Sequence, residues 1–146
     1  MKTLGIGLIG SGFMGRCHVN AYNSIASIFE VSSRPVLKIL ADATPELASQ
    51  QAKALQFEQS TEDWQELVNH PEVDVVDITA PNHLHHPIAV AALNLGKPVY
   101  CEKPLACTLA EAEEMANLAK AQQIQTLVGY NYLQNPLMKT AREIVQ

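Results

Sequence analysis

Lys103 sits between Glu102 and Pro104 in the segment VYCEKPLA, residues 99–106, where an apolar run ends. An amine at the end of a buried strand can orient a substrate hydroxyl or take its proton, which makes Lys103 a candidate for acid–base work. A second constellation lies near the amino terminus. Gly10, Gly12 and Gly15 in GSGFMG have GxGxxG spacing directly after the apolar run LGIGLI. In that arrangement the first glycine permits a tight turn, the second lets the backbone approach a pyrophosphate, and the third lets helix pack close to strand. The helix opening at Phe13 and Met14 would turn its free amides and positive dipole end toward the phosphates. A glycine-rich turn that merely packs is the alternative.

The same fingerprint asks for an acid at the end of the second strand, about 20 residues on. Asp42 closes VLKILAD and lies 27 residues beyond Gly15, an excess that a long first helix and the polar stretch EVSSR would absorb. A carboxylate there accepts hydrogen bonds from both ribose hydroxyls and repels a 2′-phosphate. The following Ala43-Thr44-Pro45 brings no arginine to receive that phosphate, so NAD is favoured over NADP. Asp42 could equally cap the helix before Pro45, a role compatible with the first.

Other reactive side chains group less well. His83, His85 and His86 crowd the start of one helix without a cysteine or carboxylate at ligand spacing, so no metal is assigned. Cys17, Cys101 and Cys107 are odd in number and lack CxxC spacing, and read as small buried or partly buried thiols without a disulfide. Trp64 fits a helix core better than a stacking platform, and Glu111, Glu113 and Glu114 fit a solvated helix start.

The elements that must position these residues alternate in kind. LGIGLI (4–9), VLKILA (36–41), VDVVDITA (73–80), KPVYCE (97–102) and QTLVGY (125–130) are short and apolar on both faces, as strands between two helix layers are. Between them lie helix-period stretches with punctuation. Ser60 before Asp63 and Thr108 before Glu111 fit capping boxes. Pro45 and Pro136 suit first turns, and Gly96 suits a stop. The expectation is an α/β fold, a Rossmann-type doubly wound parallel sheet with helices on both faces. Ligands of such sheets lie outside the carboxyl ends of the strands, so residues 79–85 and 101–104 should face the crevice that Gly10 to Gly15 line.

Bulk properties narrow the partners. The 146 residues suit one domain, and 47% hydrophobic content suits one substantial core. A net charge of −5 without a basic cluster gives no footprint for nucleic acid or an anionic membrane. No run reaches the ~18 apolar residues of a membrane span, and the amino terminus enters a glycine turn rather than a cleavage site. The reading is a cytoplasmic protein with a small-molecule partner.

Taken together, LGIGLIGSGFMG, ADATPELA, TAPNHLHHPIAVAALNLGKPVYCEKPLA and GYNYLQNP resemble the amino-terminal domain of the Gfo/Idh/MocA oxidoreductases, named for glucose-fructose oxidoreductase and inositol dehydrogenase. The EKP triplet with PNxLH upstream is more specific than the glycines. The resemblance implies that Lys103 lies near the nicotinamide and the substrate hydroxyl. It places Pro81, Asn82 and His85 along the nicotinamide-ribose side and Glu102 beside the nicotinamide. It also implies a sugar, inositol or similar polyol as substrate and a homo-oligomer. On this basis residues 1–130 form the dinucleotide-binding domain, and 131–146 link it to a second, substrate-binding domain beyond this chain. The last helix, with Leu137, Ile144 and Val145, ends at Gln146 without a stop signal. The 146 residues alone are then expected to bind NAD without turnover. Two features leave room for another reading. Leu133 and Gln134 stand where many members carry a basic residue, and the same fold serves non-catalytic dinucleotide sensors and regulators.

Overall fold

The computed structural model describes residues 2–145, with Gln134 known by its backbone alone, so the sequence expectations on Gln146 and on the Gln134 side chain lie outside the described residues. Six strands form one parallel sheet in the order β3-β2-β1-β4-β5-β6. They are β1 (Lys2–Ile9), β2 (Ser33–Ala41), β3 (Gln59–Thr61), β4 (Val75–Ile78), β5 (Val99–Cys101) and β6 (Thr126–Val128). The helices are α1 (Phe13–Ile28), α2 (Pro45–Leu55), α3 (Trp64–Asn69), α4 (His85–Asn94), α5 (Leu109–Gln122) and α6 (Pro136–Val145). Strand order reverses between β1 and β4, which is where a doubly wound sheet opens a crevice.

Each face of the sheet has its own apolar layer. Ile6, Leu8, Val19, Leu37, Leu40, Ala48, Ala52 and Phe57 pack under α1 and α2. Ile9, Ile39, Leu67, Val76, Ile78, Ile88, Leu93 and Met115 pack under α3, α4 and α5. Ile6 and Leu8 of β1 and Leu37 and Leu40 of β2 serve one layer while Ile9, Ile39 and Ala41 serve the other, so the carboxyl-terminal parts of both strands carry apolar residues on both faces. The central strands are fixed between two cores, and their carboxyl ends inherit that rigidity.

Local signals are mostly obeyed. Thr108 and Glu111 form the expected capping box of α5. Pro45 starts α2, and Gly96 at φ +75° follows α4. Ser60 departs from the reading: it lies in β3, and the Asp63 carboxylate caps α3 by accepting from the Gln65 amide at 2.8 Å. The strand β3 itself was not expected, because QST at the sheet edge carries no apolar run. Asp42 does not cap α2 either. The Thr44 hydroxyl does, accepting from the Leu47 amide at 3.2 Å. Cys101 is buried and Cys17 half-buried, whereas Cys107 is exposed rather than buried; all three are free thiols. Among the described residues no helix is long and apolar enough to cross a membrane.

Candidate functional site

Strand pairing continues one residue past each strand end. The Gly10 amide donates to Ala41 O at 2.9 Å and Thr79 to Ile9 O at 2.9 Å, while Glu102 donates to Ile78 O at 2.9 Å and Gly129 to Cys101 O at 2.8 Å. On the other side Asp42 donates to Thr61 O at 3.2 Å. Asp42, Gly10, Thr79, Glu102 and Gly129 therefore stand in one row along the carboxyl edge of the sheet. Residues from five distant parts of the chain meet there because the sheet is parallel.

The three glycines of the turn do different jobs. Gly10 has φ +96°, and a methyl group there would come within 2.8 Å of Thr79 O. A methyl on Gly15 would overlap the Gly10 carbonyl, so its absence lets α1 pack onto the turn. Gly12 has an ordinary φ of −62°, and nothing lies within 4 Å of the place a Cβ would take. The fold does not require glycine at 12; an approaching ligand would. Among the described residues no side chain caps the α1 amides at this end, and Phe13 beside them is exposed while Met14 is half-buried. An open backbone cradle at a helix start suits a pyrophosphate.

Asp42 closes the far side of this cradle. Its Oδ2 accepts from the Ser11 amide at 2.9 Å and from the Ser11 hydroxyl, and its Oδ1 accepts from the Ala43 amide at 2.7 Å. A carboxylate offers about four acceptor positions, so a ribose would share this one with Ser11 or displace its hydroxyl. Next to it a cleft of about 230 Å³ is lined by Ile9, Gly10, Asp42, Trp64, Pro81 and Leu84, apolar walls suited to a purine ring. Trp64 thus both packs on the core and walls the cleft, a second role its sequence context did not suggest. Arg16 was also not foreseen. Its Nε donates to Ser11 O at 3.3 Å and its guanidinium reaches Gln51 at 3.2 Å, putting a cation beside the Ser11–Asp42 pair. Its place one turn into α1, after the third glycine, was the available signal.

In the middle of the row, just past Thr79, Pro81 and Asn82 are exposed at the start of a short 3-10 turn, and Pro81 also walls the cleft beside Asp42. His85 differs from the expected cofactor-facing side chain. It is 1% exposed, with Nδ1 2.8 Å from Pro104 O and Nε2 2.9 Å from Ala80 O, so it braces the β4 loop against the EKP loop. Glu102 also turns inward, 5% exposed. Its Oε2 accepts from the Lys103 amide at 3.2 Å and its Oε1 lies 3.2 Å from His18 Nε2. Gly129 is needed beside it, since a methyl there would overlap Glu102 Oε1. Lys103 is exposed, and its side-chain nitrogen has no hydrogen-bond partner among the described residues. Likewise among the described residues, no three His, Cys, Asp or Glu side chains converge as a metal site would require, and His86 pairs instead with Glu114 at 2.9 Å.

Behind Glu102 lies a buried ionisable cluster. Burial pulls the His18 pKa down, but the hydrogen bond and charge of Asp77, then those of Glu102, outweigh it and leave it above the ordinary 6.5. Burial pushes Asp77 above 3.8, against the hydrogen bonds it receives from His18 and Tyr22. Both shifts mean that the folded chain holds protons more tightly than the unfolded one. The His18 contribution to stability is complete below pH 6.5 and is lost as pH rises through its folded value, and the Asp77 shift acts with the same sign. The melting temperature is therefore expected to fall as pH rises from 6.5 through the folded His18 value. Thermal melts across that window check it, and a melting temperature that rises with pH would contradict the cluster's charge state.

Comparison with known proteins bears on the same residues. The family model described as an oxidoreductase family with an NAD-binding Rossmann fold, Gfo/Idh/MocA, matches residues 4–130. Levoglucosan dehydrogenase of Pseudarthrobacter phenanthrenivorans is 42% identical over 100% of this chain and 38% of its own length. Inositol 2-dehydrogenase of Salmonella typhimurium is 35% identical over 77% of this chain and 32% of its own. A structure of levoglucosan dehydrogenase with NADH and levoglucosan superposes with a TM-score of 0.87 at 45% identity, covering 90% of this chain and 36% of that one. The chain thus spans less than two-fifths of the length of these relatives.

Proposed function

Because the chain belongs to the Gfo/Idh/MocA oxidoreductases and forms their NAD-binding Rossmann domain, we propose that it serves a dehydrogenase exchanging hydride between nicotinamide and a secondary alcohol of a sugar, inositol or similar polyol. The observation that carries this reading is the single row at the sheet edge, with the open Gly12 cradle and Asp42 on one side and the partnerless Lys103 amine on the other. The relatives named for levoglucosan and inositol supply the substrate class. Residues 1–130 are the dinucleotide-binding unit, and 131–146 lead toward substrate-binding structure in the complete protein, which we take to be a cytoplasmic homo-oligomer.

When bound, NAD supplies the hydride acceptor; the chain's own groups do the rest. Gly10 shapes the turn, Gly12, Phe13, Met14 and Gly15 present amides to the pyrophosphate, and Asp42 takes the adenosine-ribose hydroxyls. Pro81 and Asn82 border the nicotinamide ribose. His85 braces the loop that carries them, and Glu102 holds the Lys103 amide from below. Lys103 is then free to orient the substrate hydroxyl or to receive its proton. Hydride exchange with a panel of sugars, anhydrosugars and inositols, in the longest natural form of the chain, tests the reading. Tight NADH binding without any turnover across the panel would favour a dinucleotide sensor instead.

Cofactor choice follows from Asp42. A 2′-phosphate would meet this carboxylate, so NAD should bind more tightly than NADP. Asp42→Ala should narrow the gap, weakening NAD through lost hydrogen bonds while Arg16 becomes available to the phosphate. Calorimetry with both nucleotides decides it. A wild type preferring NADP by tenfold, about 1.4 kcal/mol, would remove Asp42 from the ribose site.

A further inference from the structure

The strand end that carries Lys103 rests on a buried network that the chemistry above leaves unused. His18 lies on the sheet-facing side of α1 and is 6% exposed, and Asp77 on β4 is 0% exposed. His18 Nδ1 is 3.0 and 2.9 Å from the two oxygens of Asp77, and its Nε2 is 3.2 Å from Glu102 Oε1. The Tyr22 hydroxyl donates to Asp77 Oδ2 at 2.8 Å. Tyr100 on β5 stacks on the imidazole with centroids 4.5 Å apart and planes within 9°. Two carboxylates thus face the two nitrogens of one ring.

A neutral imidazole has one N–H and would turn a lone pair toward one of these carboxylates. An imidazolium donates to both, and it halves the charge that two buried carboxylates would otherwise leave uncompensated. The groups facing the ring are Asp77 from β4 and Glu102 and Tyr100 from β5 and its end, with Tyr22 of α1 on the same Asp77, so among the described residues no other cation shares this place. Glu102 is then held on three sides: by His18 Nε2, by the Lys103 amide and by the Cα of Gly129.

We propose that His18 is a positioning residue of this site, clamped as an imidazolium between Asp77 and Glu102 so that the Glu102 carboxylate, and with it the backbone that presents Lys103, keeps one orientation. The catalytic part of this rests on the dehydrogenase reading above; the clamp itself does not. Without the ring's two donors Asp77 and Glu102 repel each other across the gap. The Glu102 carboxylate is then free to swing outward past Lys103, and the amine loses its fixed mount. Displacements of about 1 Å at a reacting group can cost on the order of 100-fold in rate.

The test has two arms. Nitrogen-15 spectra of the wild-type protein at pH 7 should show protons on both ring nitrogens of His18, and a single N–H would overturn the clamp whatever the protein catalyses. In the longest natural form, His18→Phe keeps the ring volume and the Tyr100 stack but removes both donors. It should lower kcat by ~10-fold or more while the NADH dissociation constant stays within about threefold, a small change on the free-energy scale. The same substitution made on a Glu102→Gln background should cost little further, because the two residues act through one contact. A loss of equal size in both backgrounds, or a loss wholly in NADH affinity, would mean that His18 is only core. A wild type that binds no NADH and turns over no polyol would sink the dehydrogenase reading, while the nitrogen spectra would still decide the clamp.

Discussion

Gly12→Val is expected to weaken NAD binding by two orders of magnitude or more, about 2.7 kcal/mol, while the protein stays folded. Nothing lies within 4 Å of the position a Cβ would take at residue 12, and its backbone angles suit any residue, so the fold leaves open space at the root of the isopropyl group. The side chain points into the space over the first turn of α1, where the proposed site would bring the pyrophosphate against bare backbone. Valine is a poorer N-cap than glycine, which should cost about 1 kcal/mol and lower the melting temperature by ~2–4 °C. Gly10→Ala makes the instructive contrast. At φ +96° and against Thr79 O, it should destabilise the fold itself, losing affinity because the turn is lost. Calorimetry with NAD, paired with thermal melts, separates the two. Unchanged affinity in Gly12→Val would take the glycine turn out of the site.

What the sequence made legible was whatever depends on neighbours in the chain. The glycine turn, Thr108 with Glu111, and Pro45 could be read because each signal lies within one element or its border; Asp42 could be placed at a strand end, but its partner Ser11, 31 residues away, could not. The parallel sheet followed from strands apolar on both faces. What could not be read was pairing across the sheet. His18 finds Asp77 and Glu102 at sequence separations of 59 and 84 residues, and His85 finds Pro104 at 19. One signal for His18 was present: Gly15, His18, Val19 and Tyr22 share one helical face, so a histidine sat in the stripe that α1 turns to the sheet. The resemblance put His85 along the nicotinamide-ribose side and Glu102 beside the nicotinamide, and it carried no information on which way either side chain points. Both side chains turn inward, as buried groups seeking partners do. The three-residue β3 escaped because its pairing with β2 is backbone alone, which side-chain patterns do not announce.

Lys103→Ala should lower kcat by ~10²–10⁴ in the longest natural form, with NAD affinity nearly unchanged, if the amine carries the proton. The structure makes this substitution unusually clean. The Lys103 side chain is exposed and bonds to nothing among the described residues, so its loss should move stability by no more than about 0.5 kcal/mol. The backbone amide of residue 103 still donates to Glu102 Oε2, and the strand end keeps its place. Lys103→Arg then separates two roles that alanine removes together. A guanidinium can hydrogen-bond a hydroxyl and so keep an orienting role, but it does not give up its proton at neutral pH and cannot receive the alcohol's. An arginine variant as inactive as the alanine one assigns proton transfer to the amine, whereas substantial activity in arginine alone would assign orientation. Full activity in Lys103→Ala would leave the row at the sheet edge with a binding half and no chemical half, and the search for the base would have to move to residues that approach the crevice from outside this domain.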